Sequence, residues 1–365
     1  MKKKKIFIGI IGCGMAGDYH VTNLLKIKTV KIKWLCDTSN VVLKNARKKY
    51  DIPNGTTNYK EVLNDKSMDA VIVSTPPKSH YKITNDAISA KKHVLIEKPI
   101  AINQEEVYKL YNRAKNNPEL IIMDCSSRHS RLQPKFLYIK KIIESGKLGH
   151  IYCIHHNAIY RESRPGLEYH PNAKWFLNKK LSGGGALIDW GVYDLSFHLG
   201  ILNDKPNLKT IKSFNINGLG AQIHDNQIFN VEEHGIVLME FDTNLVYYWE
   251  RANNAHNESP NETRIYGTRG GLKFSYLTWD SNEINYYHLD KNSKAKKDLL
   301  YVDMKNHESH IDDYYALDKH FIRCLLYKER PILSLPVAVK HLDIIFKAMK
   351  IQNSVDGLGR MKRVY

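Results

Sequence analysis

The sequence predicts an α/β protein in two parts. Residues 1–124 read as a doubly wound parallel sheet, and residues 125–365 as an α+β domain on a large, open, mainly antiparallel sheet. Three observations predict this. Short apolar runs alternate with helical spacings through the first third, which is the pattern of βαβ units. The run Ile6–Ile11 leads straight into Gly12-x-Gly14-x-x-Gly17. Past Asp124 the period changes, and alternating apolar–polar segments follow one another with few helices between them.

Each element follows from local pattern. Ile6–Ile11 is short and wholly apolar, so it reads as a buried strand, and Met15–Lys28 has helical spacing. Lys31–Cys36 is a second strand ending at Asp37. Val41–Tyr50 and Tyr59–Asn64 read as helices. Asp69–Ser74 is a buried strand closed by Thr75-Pro76-Pro77. Ser79–Lys91 is helical, and His93–Ile96 is a strand that ends in Glu97-Lys98-Pro99. Gln104–Asn116 is a helix and Leu120–Met123 a last strand of this part. Strand–helix alternation of this kind gives parallel strands covered on both faces, with right-handed crossovers. A long helix, Pro134–Ser145, is stopped by Gly146. Strands are then expected at Ile151–Tyr160, Lys212–Ile216, Gly235–Phe241, Leu245–Arg251, Thr263–Gly267, Leu272–Tyr276 and Ile284–Leu289, pairing antiparallel. Two helices, Ser309–Tyr327 and Pro336–Ser354, close the reading.

Composition narrows the function classes. At 365 residues two domains are expected, and 42% apolar content marks a folded chain. No apolar stretch reaches the roughly 18 residues of a membrane span. The five cysteines are scattered, with no CxxC pair, so neither a cysteine zinc site nor a disulfide framework is expected, and a reducing, cytoplasmic setting is. No histidine spacing suggests a metal site. The net charge is +17, but the lysines are spread along the chain rather than interleaved with aromatics on one face, so no nucleic-acid partner is expected.

The opening MKKKKIFIGIIGC has a second reading, a lipoprotein signal with its cleavage cysteine. Cleavage before Cys13 would delete the first strand, and the residues that follow favour a nucleotide loop. Gly12-Cys13-Gly14-Met15-Ala16-Gly17 follows a strand and opens a helix, and Asp37 ends the next strand. These are the parts of a dinucleotide site. Backbone N–H groups and the helix N-terminus hold a pyrophosphate, while the carboxylate accepts from ribose hydroxyls. A carboxylate repels a 2′-phosphate, so NAD is preferred over NADP, with Arg47 the arginine nearest in sequence that could reach a phosphate. Ser74, Thr75, Pro76, Pro77 and His80 at one strand end, and Glu97 and Lys98 at another, lie where doubly wound sheets bind ligands. A lysine held there can exchange a proton with a hydroxyl being oxidised. In LSGGGALIDWGVYDLSFHLG, Asp189 and Tyr193 share a helix face, as do Asp194 and His198. His155, Tyr160, Arg161, Arg164, Tyr169 and His170 are candidate substrate contacts, a solvated loop being the competing reading.

These pieces together resemble the Gfo/Idh/MocA family of sugar and polyol oxidoreductases. The resemblance rests on GIIGCGMAG, Asp37, STPPKSH, EKPIA, ESGKLGHI, the stretch from Trp175 through SGGGALIDWGVYDLSF, and NSVDGLGRMKRV, and it spans nearly the whole chain. It implies a nicotinamide cofactor held by the glycine loop, Asp37, the Ser74–Pro77 turn, His80, Glu97, Lys98 and Trp175. It implies Lys98 as the catalytic lysine and Asp189 as the helix acid that binds substrate, with Tyr193 hydrogen-bonding the substrate oxygen; Tyr160 and Arg161 are read from the residues alone as candidate substrate contacts. Many members carry His where Tyr193 stands; Tyr resembles the glucose–fructose oxidoreductase and dihydrodiol dehydrogenase branches. Trp175 is followed by Phe176 where the Tyr branch often has Arg, which further disfavours NADP. The resemblance also implies a homodimer or homotetramer. The leading expectation is an NAD-dependent dehydrogenase or reductase acting on a sugar, polyol or sugar derivative. The alternatives are an NAD-using glycosidase with an internal oxidation–elimination–reduction cycle and a non-catalytic NAD-binding regulator.

Overall fold

The computed structural model describes residues 5–161, 174–219, 228–350, 352–355 and 361–364. Two compact units divide the chain. The first holds residues 1–128 and 310–340, the second 129–309 and 341–365.

In the first unit, β1 (Ile6–Ile11), α1 (Met15–Leu24), β2 (Val30–Cys36), α2 (Asn40–Tyr50), β3 (Asn54–Thr56), α3 (Tyr59–Asn64), β4 (Ala70–Val73), α4 (His80–Ser89), β5 (His93–Ile96), α5 (Gln104–Lys115) and β6 (Ile122–Asp124) follow in order. The six strands lie parallel in the order β3-β2-β1-β4-β5-β6. β1 sits inside the sheet, paired with both β2 and β4, so Ile6–Ile11 is a core strand. β4 is buried along its whole length, and Ile8, Ile10 and Leu95 are at 0% exposure, as expected of strands covered on both faces. Helix starts are chosen by side chains: Ser39 caps α2, and Asn103 accepts from Glu106 N at 2.9 Å while Glu105 and Glu106 complement the N-terminal dipole of α5.

The second unit contains α6 (Pro134–Glu144), β7 (Ile151–Ile159), α7 (Lys179–Ser182), α8 (Ala186–Gly200), β8 (Leu208–Asn217), β9 (His234–Phe241), β10 (Val246–Ala252), β11 (Ser259–Gly267), β12 (Gly270–Phe274), β13 (Glu283–Leu289) and β14 (Ala295–Tyr301). The chain then returns to the first unit with α9 (His310–Tyr327). It goes on through α10 (Leu335–Ala348) to β15 (Gln352–Val355) and β16 (Met361–Val364) of the second unit. Its ten strands run β14-β13-β12-β11-β7-β10-β9-β8-β15-β16. Most neighbours are antiparallel, but β7–β10 and β8–β15 are parallel. Val237, Met239, Tyr247, Trp249 and Arg251 are buried, while Leu238 and Val246, next to them in sequence, are exposed. Every residue of α8 except Trp190 is buried, so the helix is a core element.

Three expectations are corrected. The division at residue 124 assigns α9 to the second domain, whereas α9 belongs to the first unit, because Asp318 on it meets His20 of α1 in a fully buried contact. The last helix stops at Ala348 rather than Ser354. Residues 353 and 354 are instead drawn into the sheet against Ile216 and Asn217, with Asn353 Nδ2 donating to Asn215 O at 3.1 Å. Finally β3 and β14, which the sequence reading lacks, are sheet edges: β3 is three residues long and β14 is polar and mostly exposed.

Candidate active site

The glycine loop shows why each glycine is needed. Gly12 has φ +99°, and a Cβ there would lie 2.6 Å from the Ser74 carbonyl group. A Cβ on Gly17 would lie 2.0 Å from Gly12 O, so β1 and α1 approach too closely for any side chain. Gly14 is different, since a Cβ there would meet nothing within 4 Å. Gly14 is also the N-cap of α1, and no side chain caps the helix. An uncapped helix start beneath open space is a seat for a phosphate group. Asp37 stands beside it: Oδ2 accepts from Cys13 N at 2.9 Å and Oδ1 from Ser39 N at 2.8 Å. Those bonds fix the carboxylate and leave each oxygen a lone pair for a ribose hydroxyl. Burial, with Asp37 nearby, pushes the Cys13 thiol up to about 12, so it stays neutral. Arg47 bonds Ile52 O at 3.3 Å and Pro53 O, which commits it to its own turn.

The second strand end is tied to this loop. Ser74 Oγ donates to Gly12 O at 2.7 Å, and Ser79 Oγ donates to Thr75 Oγ1 at 2.7 Å. Pro77 is buried and opens a short turn into α4. His80, expected on the cofactor, is buried, with Nδ1 2.7 Å from Pro99 O and Nε2 2.6 Å from Thr75 O. It pins the turn after β4 to the turn after β5. Glu97 ends β5 at 6% exposure, its Oε1 paired with Arg128 and its Oε2 accepting from Lys98 N at 3.1 Å. Burial would raise the Glu97 carboxyl, but Arg128 and His20 hold it well below the usual carboxylate range. Lys98 is half-buried at this strand end. The first unit thus brings Gly12–Gly17, Asp37, Ser74–Pro77, Glu97 and Lys98 to the carboxyl ends of one sheet, where doubly wound folds bind ligands.

In the second unit α8 carries Asp189, 8% exposed, and Tyr193, 1% exposed. The glycine run before it is sterically forced. A Cβ on Gly185 would lie 1.9 Å from Glu232 O, and Gly183 has φ +89°. Glu232 caps α8 from a distant segment, its Oε1 accepting from Gly185 N at 2.8 Å and Leu187 N at 3.1 Å. The Tyr193 ring lies 4.9 Å from that of His129 and 5.4 Å from Trp190. Behind this face lies a buried ion pair. Asp194 Oδ1 takes Arg251 Nη2 and the Tyr276 hydroxyl, both at 2.7 Å, and Oδ2 takes Arg251 Nε and Trp249 Nε1. His156 Nε2 is 3.2 Å from Asp194. His198 does not partner Asp194 side chain to side chain; it bonds the Tyr247 hydroxyl at 2.7 Å and Thr263 Oγ1 at 2.9 Å.

The candidate substrate contacts scatter. Tyr160 is near Arg251, and burial raises its hydroxyl pKa. Arg161 is exposed, and Trp175 stacks on Phe176 in the turn Lys174–Leu177. His155 packs edge-on against Tyr248, a register neighbour on β10, and leaves the buried side of β7 to His156. Arg164, Tyr169 and His170 lie outside the described residues. Sequence reasoning missed His20, Asp318, Glu232 and Arg251. The signal for Arg251 was present, as a charge at an inward position of an alternating strand.

A parallel sheet in this order, a glycine cradle, an uncapped helix start and an acid at the second strand end define a dinucleotide-binding protein. Residues 6–124 match the oxidoreductase family with NAD-binding Rossmann fold, and residues 136–273 match the GFO/IDH/MocA C-terminal domain. The chain belongs to the Gfo/Idh/MocA oxidoreductase family. It is similar to the uncharacterized oxidoreductase YrbE of Bacillus subtilis (strain 168), with 27% identity over 191 residues, 52% of each chain. It is also similar to D-glucoside 3-dehydrogenase of Escherichia coli (strain K12), with 25% identity over 296 residues, 77% of this chain and 81% of the relative. Among solved structures, levoglucosan dehydrogenase in complex with NADH and levoglucosan superimposes with a TM-score of 0.80 at 18% identity, covering 99% of this chain and 100% of that one.

Proposed function

We propose that this protein is an NAD-dependent dehydrogenase or reductase acting on a CH–OH group of a sugar, polyol or sugar derivative. One observation carries the reading: the glycine cradle, the Asp37 carboxylate and Lys98 stand together at the carboxyl ends of one parallel sheet. NAD, when bound, supplies the hydride acceptor or donor. The cradle holds its pyrophosphate, and Asp37 holds the ribose and disfavours a 2′-phosphate. Lys98 moves the proton of the reacting hydroxyl, with its backbone held by Glu97. Asp189 and Tyr193 hold the sugar oxygens, and Tyr160 and Arg161 contact the rest of it. The sugar class is supported by what the relatives are named for, D-glucoside and levoglucosan among them.

Five free cysteines are in keeping with a cytoplasmic setting, and no helix among the described residues is long and apolar enough to cross a membrane. The ten-stranded sheet carries a depression of about 630 Å³ lined by Tyr152, His155, Tyr248 and Tyr266, and assembly as a homodimer or homotetramer is proposed on the family resemblance.

The test is nicotinamide absorbance with NAD or NADP and a panel of sugars, inositols and sugar acids. NAD should support turnover, and Lys98→Met should lower it by about a hundredfold or more. Undiminished turnover in Lys98→Met would overturn the assignment. A flat trace with a glycoside consumed would point to the internal redox cycle.

A further inference from the structure

Glu97 is held from more than one side, and the far end of that network, Asp318, lies 298 residues from His20 in sequence. Its Oε1 takes the Arg128 guanidinium, and His20 Nε2 stands 3.4 Å from the same oxygen. The other ring nitrogen, His20 Nδ1, is 2.6 Å from Asp318 Oδ1 on α9. His20 and Asp318 are both at 0% exposure. Nδ1 hydrogen-bonds Asp318, whereas Nε2 faces Glu97 at ion-pair rather than hydrogen-bond distance, so it is the protonated ring that serves both carboxylates. Two carboxyls, Glu97 and Asp318, then face two cations, Arg128 and His20, with burial raising the Asp318 carboxyl and His20 and Arg128 opposing that rise. Tyr314 of α9 closes the cluster, with the Arg128 guanidinium 3.7 Å from its ring centroid and the His20 ring 5.3 Å away.

We propose that His20 and Asp318 are positioning residues for the Lys98 site. Asp318 keeps His20 protonated, the His20 cation and Arg128 hold Glu97 by charge, and Glu97 fixes the Lys98 backbone. The inference rests on the reading of Lys98 as the proton-transferring group.

A metal ion is the competing occupant, because His20, Glu97 and Cys125 bring ligand atoms within 4.8 Å of one another. The donor chemistry argues against it. Arg128 already holds the carboxylate, His20 Nδ1 is committed to Asp318, and burial raises the Cys125 thiol well above its ordinary value, leaving it neutral. Burial alone would lower the pKa of His20, but Asp318 and Glu97 outweigh it and raise it to about 9. The other titratable groups facing the cluster are Lys98 after β5, Asp124 at the end of β6, whose carboxyl burial raises to about 6, and His80 at the start of α4, which burial keeps neutral.

The experiment follows the His20 ring by nitrogen-15 NMR across pH, beside kcat, in wild type and Asp318→Asn. Wild-type His20 should hold its proton well past neutral pH. The variant should lose about tenfold or more in proton affinity. The alkaline fall of kcat should move to lower pH by the same amount, with kcat on the acid side and KM for NAD unchanged. A wild-type His20 that titrates like an exposed histidine overturns the proposal without any variant. So does a variant whose kcat falls equally at every pH. Zinc that binds stoichiometrically and displaces the ring proton would replace the strut with a metal site. If the wild type oxidises no sugar, the reading of Lys98 fails, while the titration still decides the His20–Asp318 contact.

Discussion

Asp194→Asn should destabilise the second unit sharply while hardly changing its volume. Asp194 is at 0% exposure and Arg251 at 2%. The carboxylate accepts from Arg251 through both oxygens, from Trp249 Nε1 at 2.9 Å and from the Tyr276 hydroxyl at 2.7 Å. Asparagine keeps one acceptor oxygen and turns an NH₂ toward donors, so Arg251 is left as a buried charge without its counter-charge. Removing one partner of such a pair costs about 3–5 kcal/mol. For a unit of this size that is a fall in Tm of roughly 6–20 °C. Urea unfolding with an unchanged m-value is the assay. The double variant Asp194→Leu/Arg251→Met removes both charges and should recover part of the loss, because an apolar pair is often tolerated where a lone charge is not. A single-variant cost below about 1 kcal/mol, within the range of a surface pair, would refute the reasoning. A double variant that costs the sum of the two singles would refute it too.

Asp37→Ala should raise the Kd for NAD about tenfold or more, since charged hydrogen bonds to the ribose and to Cys13 N are lost; calorimetric titration reads it. Gly185→Ala pushes a Cβ to 1.9 Å from Glu232 O, and should cost at least about 1–3 kcal/mol by the same unfolding assay. The stability of the first unit should depend on pH through His20, whose folded pKa is raised from 6.5 to about 9. That contribution is complete below about 6.5 and is lost as pH rises toward 9, which urea unfolding across pH reads. Glu97 and Asp194 are depressed, so their contributions are present above about pH 4 and are lost on acidification.

The parts of the fold that local pattern dictates were legible in the sequence. β1, β4 and β5 are short apolar runs because both faces are covered, and the glycine loop and Asp37 that follow β1 favour the strand over the signal reading. Gly12 and Gly17 are required by approaches of 2.6 and 2.0 Å to backbone, which is why the motif marks them. Asp37 and Lys98 were legible because strand ends place them. What was not legible depends on contacts between distant residues. Nothing near Asp318 in sequence announces His20, and Glu232 is an acid in a loop until Gly185 N and Leu187 N are seen to need it. His80 reads as a ligand in the sequence, and only the fold shows its buried ring set between Thr75 O and Pro99 O. β15 follows a helix directly and is set by pairing with β8, which no local propensity reports.

Isotope transfer tests the central claim most directly. A turned-over sugar deuterated at the reacting carbon is incubated with the protein and NAD, and the nicotinamide is analysed by mass spectrometry and NMR. The account predicts one deuterium on nicotinamide C4 for each sugar oxidised. Sugar consumed with no deuterium on the nicotinamide would contradict it.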